Sequence, residues 1–107
     1  PGDRREVDIL AMGEIAGRAF DRLIIKEDDD RRGRVTGESA TLMKQGAMNA
    51  GLSEERIEIV PDEIEAVERG LSQAIKGDVV VITADNIKRT YEQIIRFRDR
   101  DSITAGV

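Results

Sequence analysis

The residues of this chain best suited to chemistry lie in the run Lys26-Glu27-Asp28-Asp29-Asp30-Arg31-Arg32-Gly33-Arg34, which follows the apolar segment Leu23-Ile24-Ile25 without a break. The carboxylates of Asp28, Asp29 and Asp30 can pair with a cationic group, while the forked guanidinium groups of Arg32 and Arg34 can hold a carboxylate by two parallel hydrogen bonds. Gly33 lets the backbone come close to a ligand or take a positive φ. Such a loop can grip a zwitterionic amino acid. The same run also fits a solvated loop whose ion pairs matter little.

Other chemistries fit less well. Asp28, Asp30 and Gly33 match positions one, three and six of a calcium-binding EF-hand loop, but Arg32 stands at the fifth position and Ser39 at the twelfth, where a bidentate Glu is needed. The chain has no cysteine and no histidine, so disulfides, thiolate ligands, the commonest metal ligand and the commonest general base are all excluded from it. No metal site is expected, and no catalytic residue is assigned. There is no G-x-x-x-x-G-K-[ST] loop and no G-x-G-x-x-G fingerprint, so this segment does not cradle a nucleotide triphosphate by itself. Gly13, Gly17, Gly46 and Gly70 fall inside helical patterns, where packing is their default role.

These residues need elements to position them. The chain has 107 residues, 39% hydrophobic and 36% charged, which suits one domain with a single core. Its formal net charge of -5 argues against nonspecific nucleic-acid binding, which relies on Lys and Arg neutralising phosphates. No apolar run approaches the roughly 18 residues of a membrane span. The N-terminal residues lack the charged, apolar and small-residue regions of a signal peptide, so a cytoplasmic segment of a longer protein is expected.

Over residues 7–20, Ile9, Met12, Ala16, Ala19 and Phe20 recur at helical spacing. Residues 23–26 suit a buried strand, and the polar stretch to Gly37 is the loop after it. A second helix is predicted over 38–50, with Met43, Gly46, Ala47 and Ala50 on one side and Gly51 as its stop. Residues 57–60 read as a second strand. Asp62 then caps a third helix, with Glu65 three residues on, the stripe Ile64, Val67, Leu71, Ala74 and Ile75, and an end at Lys76-Gly77. Val79-Val80-Val81-Ile82 has the unalternated β-branched pattern of a central parallel strand. Ile87, Tyr91, Ile94 and Ile95 mark a last helix, and residues 98–107 read as a solvated tail after a domain over 1–97.

The order of elements implies an α/β, Rossmann-like fold with a mainly parallel sheet and helices on both faces. In such sheets ligands bind outside the carboxyl ends of the strands. Three segments then converge on one edge: the loop from Glu27 to Arg34, the Pro61-Asp62 turn, and Thr83-Ala84-Asp85-Asn86. At the start of the chain, Asp3 suits a helix N-cap and Arg4 suits a phosphate or ribose contributed by a neighbouring domain.

Gly2-Asp3-Arg4-Arg5 before a helix, Asp28-Asp29-Asp30-x-Arg32-Gly33-Arg34 after a strand, and Gly77-Asp78-Val79-Val80 leading to Ala84-Asp85-Asn86 form an ordered set. Together they resemble the C-terminal domain of the Mur ligase family, and within it the cyanophycin synthetases. The likeness covers nearly the whole chain, to about Arg96. It implies a three-layer Rossmann-like domain of an ATP-dependent amide ligase, in which a central P-loop domain activates a carboxylate as an acyl phosphate and an incoming amine attacks it. In the cyanophycin type, arginine joins the side-chain carboxylates of a polyaspartate backbone, with ATP and magnesium bound mainly by the central domain. By that resemblance Asp28, Asp29, Asp30, Arg32, Gly33 and Arg34 form the incoming amino acid's site, in place of the Asp-Asn-Pro-Arg segment of many peptidoglycan ligases. Asp85 and Asn86 line the cleft, and Asp3 and Arg4 lie toward the nucleotide domain.

The sequence departs from the family pattern in lacking the strand before Gly-Asp-Arg, the central domain and the ATP-grasp half. The segment alone is therefore expected to be inactive, to need the central ATPase domain of a longer chain, and to show an open sheet edge that can pair with a second copy. Two readings from other classes remain. A receiver module fits the paired aspartates and Val80-Val81-Ile82-Thr83-Ala84, but Pro61 intervenes before Asp62 and no fifth strand follows Asn86. A noncatalytic oligomerisation domain needs no site at all.

Overall fold

Two short apolar runs, Leu23-Ile24-Ile25 and Ile57-Glu58-Ile59, decide where the layers form, because alternate side chains of a strand leave on opposite faces. The computed structural model describes residues 4–27, 37–84 and 86–105. Its elements are helix α1 (Arg4–Ala19), strand β1 (Leu23–Ile25), helix α2 (Glu38–Asn49), a 3-10 turn (Glu54–Arg56), strand β2 (Ile57–Ile59), helix α3 (Glu63–Gln73) and helix α4 (Ile87–Ala105). β1 and β2 pair in parallel, with Leu23 opposite Ile57, Ile24 opposite Glu58 and Ile25 opposite Ile59. Two further backbone bonds extend the ladder: Val60 N–H donates to the Ile25 carbonyl at 2.8 Å and Glu27 N–H to that of Pro61 at 2.9 Å.

On one face of the ladder Ile25 and Ile57 join Ala40 and Ala47 of α2 in the buried core, with Leu23, Met43 and Leu52 packed around them. On the other face Ile24 meets α3 near Gly70. Glu58, its neighbour in register, accepts from Arg69 Nη1 at 2.6 Å and Gln73 Nε2 at 2.8 Å, both on α3. The result is a mixed α/β chain with helices on both faces of a two-stranded parallel sheet, compatible with a Rossmann-like fragment. Among the described residues no helix is long and apolar enough to cross a membrane.

Helix ends follow local chemistry. Asp62 Oδ2 accepts from Glu65 N–H at 2.9 Å, as its place before α3 predicts. Gly51, at φ 106°, ends α2 in the left-handed conformation that glycine tolerates best. α1 meets α2 through Gly13, Gly17 and Gly46, where the two backbones touch.

Four expectations need correction. Residues 79–82 form no strand: no backbone hydrogen bond among the described residues joins them to β1 or β2, and Val79 and Val81 are 85% and 62% exposed. A β-branched run becomes a strand only where a neighbour accepts its hydrogen bonds, and here β1 has β2 on one edge and no described strand on the other. α3 ends at Gln73, before Lys76-Gly77, because Asp78 Oδ2 accepts from Ile75 N–H and Asp78 N–H donates to the Ile75 carbonyl, closing a turn that competes with another helical one. That turn leaves Ile75 exposed, and Ile64 is also largely exposed. Met12 of α1 and Phe20 just after it are exposed, because the contact face of α1 is the glycine one, which a count of apolar residues overlooks. α4 runs to Ala105, through most of the stretch read as a tail.

Candidate functional site

Residues from β1, β2, α3 and α4 meet at the carboxyl end of the parallel pair. Lys26 and Glu27 follow β1, Pro61 and Asp62 follow β2, and the N-terminal residues of α3 and α4 close the space between them. At the centre is Glu63, the first residue of α3, whose side chain is 2% exposed. Its carboxylate accepts from Lys26 Nζ at 3.0 Å, Arg89 Nη2 at 2.7 Å and Thr90 Oγ1 at 3.3 Å. Gln93, one turn further along α4, donates from Nε2 to the Ile64 carbonyl at 2.8 Å.

The electrostatics explain why a carboxylate tolerates this burial. Taking Glu63 out of water costs several kcal/mol unless partners compensate it. Two cations do so, and the unsatisfied N–H groups of the first turn of α3 add a favourable field. Arg89, with its side chain 35% exposed, spans from this buried carboxylate toward solvent. At Glu58, a hydrogen bond from Gln73 holds the carboxyl below the ordinary carboxylate value, with the charge of Arg69 and a hydrogen bond from it assisting against partial burial.

Of the residues singled out by sequence, Asp28, Asp29, Asp30, Arg32, Gly33, Arg34, Asp3 and Asp85 lie outside the described residues. Arg4 opens α1. Asn86 is exposed and caps α4, its Oδ1 accepting from Arg89 N–H at 3.0 Å. The segments after β1 and β2 and the start of α4 do come together, through Glu63. The sequence offered Lys26 only as the head of the charged run and missed Glu63, Arg89 and Thr90, since a Glu after an N-cap is ordinary helix chemistry and its partners lie far away along the chain.

Among the described residues no three acidic side chains gather as a metal ion would require. An open, polar depression lined by Arg18, Asp21, Gly51, Ser53 and Arg56 lies at the opposite, amino end of the strands.

Comparison with known proteins places the chain beside one group. It is 44% identical over 96 residues to a cyanophycin synthetase of Crocosphaera subtropica, covering 90% of this chain and 11% of that protein. It is 40% identical over 96 residues to the cyanophycin synthetase of a Synechocystis species, covering 88% of this chain and 11% of that one. A third, from Geminocystis herdmanii, is 41% identical over 97 residues, covering 91% and 11%. The chain thus spans about one tenth of the length of the relatives it matches. No family model matches the chain, and no solved structure does.

Proposed function

We propose that this chain, a homologue of one segment of the cyanophycin synthetases, is the substrate-binding, C-terminal Mur-ligase-like domain of an ATP-dependent amide ligase acting in the cytoplasm. The observation that carries the reading is the similarity at 37–44% identity along about nine tenths of the chain. In this reading the reaction joins the amine of arginine to an activated aspartate side-chain carboxylate of a polyaspartate acceptor, forming an amide. Asp28, Asp29 and Asp30 would pair with the guanidinium of the incoming arginine, Arg32 and Arg34 with its carboxylate, and Gly33 would allow close backbone approach. Asp85 and Asn86 would line the cleft, and Asp3 and Arg4 would face the nucleotide-binding domain.

In this reading ATP and magnesium are bound mainly by a central domain of the longer protein, as the lack of a P-loop motif in this sequence suits. No step within this chain runs through them. The reading also completes the sheet: a strand supplied by another part of the longer protein would lie between β1 and residues 79–82. The exposed Val79 and Val81, and Val7, Met12 and Ile15 on the open side of α1, support that addition by leaving apolar surface for it to cover.

The experiment is amino-acid-dependent ATP hydrolysis by the longer protein carrying this chain, with arginine, lysine and other amino acids compared. Replacement of Asp28, Asp29 and Asp30 by alanine should abolish arginine-dependent turnover. Turnover indifferent to that replacement removes the acidic loop from the site, and no turnover with any amino acid refutes the ligase reading.

A further inference from the structure

We infer that the depression at the amino end of the strands is a site for a free amino acid with an apolar side chain. It lies away from the carboxyl end that the ligase reading uses, and it does not depend on that reading. Its donors are Arg18 in the last turn of α1, Ser53 before the 3-10 turn and Arg56 at the end of that turn. Among the described residues Arg18 makes no hydrogen bond or ion pair, and Arg56 makes one long bond, 3.5 Å from Nη1 to the Asp21 carbonyl. The Ser53 side chain makes no capping bond. Two guanidinium forks and a hydroxyl left uncommitted are the donor set that a carboxylate takes.

Acceptors stand in the same depression. The Asp21 carboxylate lines it and, among the described residues, pairs with neither arginine. The carbonyl ends of α1 and α2 open on it beside Arg18 and Ala50, and each helix C-terminus carries about half a negative charge. These groups favour an ammonium ion. Two positive side chains set against one carboxylate and two half charges leave the depression close to neutral, so a lone anion gains little there. A zwitterion satisfies both sets at once. Phe20 and Leu52 give the wall an apolar part for its side chain. The space is about 570 Å3, within the roughly 300–1,000 Å3 of small-ligand sites.

The test is protection of arginines from phenylglyoxal in the longer protein carrying this chain, read peptide by peptide by mass spectrometry. Leucine is the probe, and Arg96, exposed on α4, is the internal reference. N-acetylleucine lacks the ammonium group and leucinamide lacks the carboxylate, so each removes one half of the recognition. Relative to Arg96, leucine should slow modification of Arg18 and Arg56 by about threefold or more, the scale of a few exposed charge contacts. Neither derivative should protect to that extent. Asp21→Asn, at a side chain that holds no bond among the described residues, should reduce protection by leucine to the level given by N-acetylleucine. No protection by leucine relative to Arg96, equal protection by N-acetylleucine, or full protection by leucine in Asp21→Asn each overturns the inference. The readout is modification and not turnover, so its failure leaves the ligase reading standing, and failure of that reading leaves this site standing.

Discussion

Adding one methyl group at three helical glycines should give opposite signs of stability change, because the space beside each differs. A Cβ on Gly13 would lie 2.2 Å from the Met43 carbonyl oxygen, and one on Gly46 would lie 2.2 Å from that of Leu10. Both obstacles are backbone atoms, which cannot rotate away, so α1 and α2 must separate. Overpacking of this kind costs about 1–3 kcal/mol, with a backbone clash at the upper end. The better helix propensity of alanine returns about 1 kcal/mol. Gly13→Ala and Gly46→Ala should therefore each lose about 2 kcal/mol, on the order of 10 °C in Tm for a domain of this size. At Gly70 the nearest atom is Ile24 Cδ1 at 3.6 Å, an ordinary contact, so Gly70→Ala should gain up to about 1 kcal/mol. Urea denaturation of the 107-residue chain followed by far-ultraviolet circular dichroism measures all three. A Gly13→Ala variant as stable as Gly70→Ala would refute the account of the α1–α2 contact.

Asp62→Ala should cost about 1 kcal/mol through loss of the 2.9 Å cap bond to Glu65, and Asp62→Asn much less, by the same denaturation measurement. The carboxyl of Glu58 is held below its unfolded value, chiefly by Gln73, so its contribution is present above that unfolded value and is lost as pH falls through the folded one. Denaturation midpoints measured from neutral pH down through the carboxylate range should fall more steeply for wild type than for Glu58→Gln, and parallel curves would discount the effect. Val81→Thr in the isolated chain should change stability by less than about 0.5 kcal/mol, because the side chain is 62% exposed. Amides 79–82 should also exchange rapidly with deuterated water, whereas strong protection would restore the strand read from the sequence.

Much of this architecture is local in origin and was legible as such. Period and capping gave the helices: Asp62 before α3 and Gly51 after α2 act within a few residues of themselves, and their chemistry has the same outcome in almost any surroundings. The apolar runs at β1 and β2 were legible for the same reason, and the helical glycines could be assigned to packing although not to a partner. The run at 79–82 has equal β character, yet it is not a strand, because a strand is completed by a neighbour and not by its own residues. The packing side of α1 was hidden too, since glycine adds nothing to an apolar stripe and matters only once another backbone lies against it. Composition and local pattern by themselves determined the class of fold, the cap at Asp62, the stop at Gly51 and the absence of histidine and cysteine chemistry. Tertiary structure alone decided that Lys26, Glu63, Arg89 and Thr90 meet, because a buried carboxylate selects its partners by proximity in space, and no spacing along the chain records it.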